Sequence, residues 1–447
     1  MRNHHTALDD LIVYGGTVLT MDPQMRIIPH GVIHVQRGKI VSLESIENFT
    51  PPSGVQLLDA QGGIVLPGFI NGHTHVGMSL LRGIADDYPL DQWLTNHIFP
   101  LERQFGSKEF VELGTELACV EMIKSGTTFF NDMYYFEAAA AAVADRMGMR
   151  AICGQTHVEI SGVESNQEVF KKFDQFVEEV EKLSLIQPAL APHSIYGLSE
   201  QLWKDLVKYA REHQLLIHTH LCETQQEIQK TRLEKGLTPV EWFDSIGLWD
   251  QPAICAHAIE LSSTDIKLLG KKRVGIVYNP ESNLKLGNGI CPVVELRASG
   301  APVAFGTDST ASNNNLDLLQ EAASGSKLQT FKYGVGKLKA IECVKILTIE
   351  AAQALRVDDQ VGSLVVGKSA DLVVLDIHQA HSVPLYDWYS HVIYSALQSD
   401  VRHSVVAGQI LMKNRTLTRC NEKEIVSRAQ AWGERIQAVN AQLAKST

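Results

Sequence analysis

Histidine carries most of the chemistry open to this chain, and it falls in a pattern. Two His-x-His pairs, His73-Thr74-His75 and His218-Thr219-His220, stand among 17 histidines in 447 residues, where chance alone gives about 0.6 such pairs. In a β-strand residues i and i+2 face the same way, so both rings of a pair can reach one ion. His193, His257 and Asp308 follow further along. Each of these groups closes a short apolar run: His73 and His75 the first of eight, His193 the fourth, His220 the fifth, His257 the sixth and Asp308 the eighth. His218 shares the strand parity of His220, and spacing alone does not choose between them. Imidazole nitrogens with a carboxylate, and no thiolate pattern, form a donor set that suits one Zn²⁺ per subunit, with Fe²⁺ or Ni²⁺ left open. Such an ion lowers the pKa of a bound water towards ~7. Glu223 lies three residues after His220, where a carboxylate can carry protons between water and a leaving group. The plainer reading of Glu223 is a helix-start acid favoured by the helix dipole.

These residues need elements that bring them together. The eight apolar runs are GIVLPGFINGH, GTTFFNDM, RAICGQTHV, LIQPALAPHS, QLLIHTHL, PAICAHAI, RVGIVYNP and APVAFGTDS. Amphipathic stretches at 110–125, 168–183, 199–212 and 316–333 read as helices between them. Alternation of this kind is the pattern of βα units, and eight of them predict a (β/α)8 TIM-like barrel over residues 65–359. A doubly wound sheet does not need eight strands. Barrel sites are built at the C-terminal strand ends, which is where the candidate ligands fall. The segments DLIVYGGTVLTMD, GVIHVQRGKIVSLES and VQLLDAQGG near the start, and VGSLVVGKSADLVVLD and HSVVAGQILMKN near the end, read as short β segments with turns. Neither group can bury a core alone. Residues 1–64 and 360–420 are therefore expected to form one smaller composite β-sandwich domain, and 421–447 a C-terminal helix.

Composition narrows the function. Forty basic against fifty-one acidic side chains leave a net charge of −11, which disfavours broad binding to nucleic acid or to an anionic membrane. No apolar stretch approaches the ~18 residues of a membrane span, and the first residues lack the apolar core of a secretory signal. The seven cysteines are odd in number and never spaced C-x-x-C, so a reduced, cytoplasmic protein is expected. Without a secretory route the glycosylation patterns at Asn48 and Asn414 carry no meaning. The stretch from Gly362 to Ser369 fits the phosphate-loop pattern G-x-x-x-x-G-K-S letter for letter. That loop must open a helix; here the β run ADLVVLD follows, and a turn is expected instead.

The stretches LPGFINGHTH, HTHLCETQQE, NPESNLKLGNGI, GTDSTASNNNLD and GSLVVGKSADLVVLD resemble the amidohydrolase superfamily over nearly the whole chain. They look most like its 5-methylthioadenosine/S-adenosylhomocysteine deaminase branch, with triazine hydrolases as close relatives. The resemblance implies a mononuclear metal held by His73, His75, His220 and Asp308. It implies Glu223 as proton shuttle, with His257 and Asp308 steadying the attacking oxygen. The dinuclear branches use a carboxylated lysine on the fourth strand, where this chain has Pro192-His193-Ser194. The resemblance also implies substrate contacts: Glu102 for the ribose hydroxyls, His193 near the base, and Trp93 in a loop that closes over the ligand. Their plainer readings are a surface helix charge for Glu102 and core packing for Trp93. Gln155 stands where the branch has an arginine for the homocysteine carboxylate, and no arginine occurs from Ala151 to Ala210. The expected reaction is deamination of an adenine nucleoside to its inosine analogue and ammonia, with 5′-methylthioadenosine ahead of S-adenosylhomocysteine. A triazine chlorohydrolase, a guanine-type deaminase and a catalytically silent scaffold are the rival readings. The expected partner is the small nucleoside alone, with neither nucleic acid nor membrane, and homo-oligomers are compatible with it.

Overall fold

The computed structural model of the chain describes residues 10–158 and 166–443. The first nine residues of the expected terminal β region and the last four of the expected tail helix lie outside the described residues. Strands β1 (Asp10–Leu19), β2 (Ile27–Gln36), β3 (Lys39–Ser45), β4 (Gln56–Asp59) and β5 (Ile64–Pro67) come first. Eight more follow: β6 (Phe69–Thr74), β7 (Thr127–Tyr134), β8 (Arg150–His157), β9 (Ile186–Pro192), β10 (Leu216–Leu221), β11 (Ala253–His257), β12 (Gly275–Tyr278) and β13 (Val303–Phe305). The last four are β14 (Leu372–Leu375), β15 (Val401–Val406), β16 (Gln409–Lys413) and β17 (Thr416–Leu417).

Strands β6 to β13 pair in chain order, each parallel to the next. The ring closes where the Asp308 N–H donates to the His73 carbonyl at 3.0 Å, beside a parallel bridge from Thr74 to Asp308. Strands covered on both faces read as continuous apolar runs, and β6 and β7 are buried at every position. One residue from each strand fills the interior: Ile70, Phe129, Ile152, Ala189, Leu216, Ile254, Val277 and Ala304. Ala351, Ala352 and Ala354, from the short helix Ile349–Ala354, pack on this layer and plug the barrel floor. The expected helices are present as Lys108–Ser125, Asn166–Val180, Glu200–His213 and Leu318–Tyr333. Three of them begin at a side-chain cap, from Ser107, Ser199 and Asp317.

The terminal strands form a separate nine-stranded mixed sheet in the order β17-β16-β15-β14-β5-β1-β2-β3, with β4 beside β1. The run GIVLPGFINGH, read above as one strand, is therefore two. Its first half pairs with β1 and β14 and its second half opens the barrel. The change of sheet falls at Gly68, where a Cβ would lie 2.0 Å from the Thr128 hydroxyl. The two sheets are joined by a buried polar cluster. Arg150 Nε donates to Asp371 Oδ2 at 2.9 Å and Arg150 Nη2 to Ser369 Oγ at 2.9 Å. The Ser369 hydroxyl and the Ala407 N–H both donate to Asp371 Oδ1, at 2.8 and 2.7 Å. The phosphate-loop-like stretch is a turn leading into β14, and its Lys368 Nζ donates to the Val361 carbonyl at 3.1 Å. The tail helix Glu422–Leu443 lies along Lys108–Ser125, with the ring of Trp432 against Phe105 and Phe110. No helix among the described residues is long and apolar enough to cross a membrane.

Candidate active site

At the C-terminal ends of the barrel strands the chain builds a cleft. His75, His220, Glu223, His257 and Asp308 line it, together with Glu102, His193 and Trp93. His73 lies directly beneath, fully buried.

Local backbone irregularities aim these side chains. Ile70 faces the interior, so regular alternation would turn His73 outward. An irregularity in the β6–β7 register between Asn71 and Thr74 reverses this. Ile254 likewise faces in, and regular alternation would send His257 out. His257 instead has a left-handed backbone (φ 72°), followed by Ala258 (φ 49°). Cys222 (φ 50°) and Asp308 (φ 60°) share that conformation, which costs a non-glycine residue about 1 kcal/mol.

The imidazoles are oriented from behind. The Nδ1 atoms of His75 and His220 lie 2.6 Å from the Met133 carbonyl and 2.7 Å from the His193 carbonyl. His73 Nδ1 lies 2.9 Å from His218 Nε2. In each ring this leaves Nε2 for the centre. His73 and His75 place Nε2 at 3.4 and 3.2 Å from Asp308 Oδ1, while Asp308 Oδ2 accepts the Ser282 and Ser312 hydroxyls at 2.6 and 2.9 Å. Donor atoms of His73, His75 and Asp308 fall within 4.8 Å of one another, as do those of His73, His220 and His257. His73 Nε2 is buried without a hydrogen-bond partner. A buried orphan lone pair inside a nitrogen and carboxylate donor set fits a divalent metal ion.

Electrostatics agree with that fit. Burial holds His73 down to about 3 and His193 to about 4, and keeps His220 well below its ordinary range. Burial alone would raise Asp308, but the His73 and His75 rings beside it outweigh that and hold the carboxylate well below its ordinary range. Burial thus keeps His73, His193 and His220 neutral beside an ionised carboxylate, as ligation requires, whereas His75 is raised because the contact with Asp308 outweighs its burial.

Glu223 faces the cleft, its Oε2 3.9 Å from His257 Nε2, and its Oε1 accepts from Asn288 Nδ2 at 2.8 Å. The helix-start duty belongs to Glu227, whose carboxylate accepts the Cys222 and Glu223 N–H groups at 2.9 Å each. Glu223 is raised by burial, with the nearby His257 opposing. Glu102, on the helix Phe99–Phe105, accepts the Tyr134 hydroxyl at 2.7 Å.

Gln155 is the expected contact that the structure does not bring to the cleft. Ile152 faces the barrel interior, so Gly154 and Thr156 do as well, and Gln155 points the other way. Thr156 lines the cleft and Gln155 does not. Sequence reasoning also missed Tyr134, Tyr196 and Asn288. Asn288 sits inside the quoted stretch NPESNLKLGNGI, which was the available signal; nothing marked the tyrosines.

Residues 64–411 match the Amidohydrolase family. The chain belongs to that family. This amidohydrolase is 39% identical over 432 residues to a 5-methylthioadenosine/S-adenosylhomocysteine deaminase of Thermodesulfovibrio yellowstonii, covering 95% of this chain and 98% of the relative. It is 37% identical to a 5′-deoxyadenosine deaminase of Methanococcoides burtonii, covering 97% and 99%. Among solved structures, an adenosine deaminase from Xanthomonas campestris with bound zinc superposes with a TM-score of 0.92 at 32% identity, covering 96% and 99%. The amidohydrolase thus shares its whole architecture with enzymes of this family, barrel and terminal sheet together.

Proposed function

We propose that this amidohydrolase removes the 6-amino group of adenine nucleosides by hydrolysis, with 5′-methylthioadenosine favoured over S-adenosylhomocysteine. The observation that carries the reading is the meeting of His73, His75, His220, Asp308 and Glu223 at the end of one cleft. The names of the relatives supply the substrate class. His73, His75 and His220, through Nε2, and Asp308, through Oδ1, would hold one divalent ion per subunit, with zinc our assignment. Bound there, the ion would supply a water nucleophile at neutral pH.

The protein's own groups do the rest. Glu223 takes the proton released as water adds to C6 of the purine and delivers it to the ring nitrogen, so that ammonia can leave. His257, with Nδ1 2.8 Å from Asn283 Oδ1, directs Nε2 at the same water. Tyr134 engages Glu102 Oε1, leaving Oε2 for the ribose hydroxyls. His193 stands beside the base, and Trp93 covers the ligand. The 5′ group meets a wall of Leu90, Leu94, Ile98 and Phe99, and among the described residues no lysine or arginine lines the cleft. A carboxylate buried there lacks a cationic partner, whereas a methylthio group needs none. We place the reaction in the cytoplasm, on the seven unpaired cysteines.

The test is incubation with methylthioadenosine, adenosine, S-adenosylhomocysteine, guanine and a chlorotriazine, following each substrate's own ultraviolet change and the ammonia or chloride released. Turnover of the nucleosides is expected. Turnover of only the triazine or guanine would overturn the reading.

A further inference from the structure

His218 lies in no contact with the cleft, yet it is fully buried in the barrel directly below it. On β10 the residues Leu216, His218 and His220 face the same way, so they stack from the interior layer towards the strand end. Burying an imidazole at that depth, where the neighbouring strands place apolar side chains, needs a reason. His218 Nε2 lies 2.9 Å from His73 Nδ1, the two rings crossing at 89°. One of these nitrogens must carry the hydrogen and the other must accept it.

The choice is forced from the far side of His73. Its Nε2 points at the donor cluster and has no hydrogen-bond partner. To offer a lone pair there, a neutral His73 must hold its proton on Nδ1. His218 Nε2 must then accept, and the His218 proton must sit on Nδ1, which faces the main-chain oxygen of Asp132 on β7 without closing a well-shaped hydrogen bond.

We infer that His218 is a positioning residue that fixes the tautomer and aim of His73, so that the His218-Thr219-His220 pair supplies one residue to the metal cluster and one to the support of its opposite ligand. The inference rests on the proposed reading of that cluster as a metal site. A main-chain carbonyl does this for His75 and His220; for His73 the barrel interior offers a side chain instead.

The test is zinc affinity, measured by competition with a chromophoric chelator on the zinc-loaded protein, alongside the melting temperature of the metal-free form. His218→Phe fills the space without an acceptor, and His218→Gln places an amide oxygen near the lost Nε2. We expect His218→Phe to weaken zinc binding about 10- to 100-fold and His218→Gln to stay within about fivefold of the parent. Should the ring replacement not fold, His218→Leu serves as the second variant without an acceptor, with the same expectation. Parent-like affinity in the variant without an acceptor would overturn the inference while leaving the metal reading intact. Equal weakening in His218→Gln and His218→Phe would also overturn it, because loss of packing would then explain both. A parent protein that binds no zinc would overturn the metal reading itself.

Discussion

Two buried polar clusters stand at opposite parts of the barrel, and they are finished differently. Where the barrel meets the terminal sheet, Arg150, Asp371, Ser369 and the Ala407 N–H answer one another's donors and acceptors. At the strand ends, His73 Nε2, Asp132 Oδ2, Asn279 Oδ1 and Asn283 Nδ2 are buried without partners. A polar group buried and satisfied holds a structure together. One buried and unsatisfied is a cost that folding alone does not explain. The contrast between these two clusters is visible without reference to any relative.

The sharpest way to break the comparison is to remove a ligand. His73→Ala, His75→Ala, His220→Ala and Asp308→Ala should each lose metal and lower turnover by about 10³-fold or more. Near-full metal content in two of the four, by elemental analysis, would sink the ligand assignment. Next comes Glu223→Gln, which keeps size and hydrogen bonding but cannot shuttle protons. It should keep the metal and lower kcat by about 10²-fold or more, and wild-type turnover would remove Glu223 from the chemistry. The joint should respond in the opposite currency. Arg150→Met leaves Asp371 without its partner and should destabilise the fold by about 2 kcal/mol in urea unfolding, while kcat of the folded fraction stays at the parent value. The smallest effect concerns the 5′ end. kcat/KM for methylthioadenosine should exceed that for S-adenosylhomocysteine by about tenfold. Thr156→Arg should narrow the gap, and Gln155→Arg should not, because its side chain points away from the cleft. Equal kcat/KM for the two substrates would remove the argument from the cleft's missing cation.

Much of this architecture is written in the order of residues, and the exceptions have physical causes. Buried parallel strands leave long apolar runs with a polar residue at one end, so all eight barrel strands and the residues closing them can be read directly. A strand buried on both faces, however, has no polar side to mark its orientation. That is why RAICGQTH did not reveal that Thr156 and not Gln155 faces in. Period-two counting also fails at His73 and His257, which a register irregularity and a left-handed residue turn inward. The two histidines of the second His-x-His pair have equal parity, and only their depth along β10 separates them. The break between β5 and β6 was invisible because both halves are equally apolar, and the sheet to which each belongs depends on strands far away in the chain.

That last feature bears on how the molecule is made. β5 ends at Pro67, and its neighbour β14 begins at Leu372, so at about 5–20 residues per second a ribosome needs roughly 15–60 s to deliver the partner. Throughout that interval one edge of β5 has no strand to pair with, although β6, joined to it through a single glycine, belongs to the first strand of the emerging barrel. The nascent chain must therefore protect a row of unpaired backbone groups on an apolar strand for most of its synthesis, and an exposed edge of this kind recruits other chains.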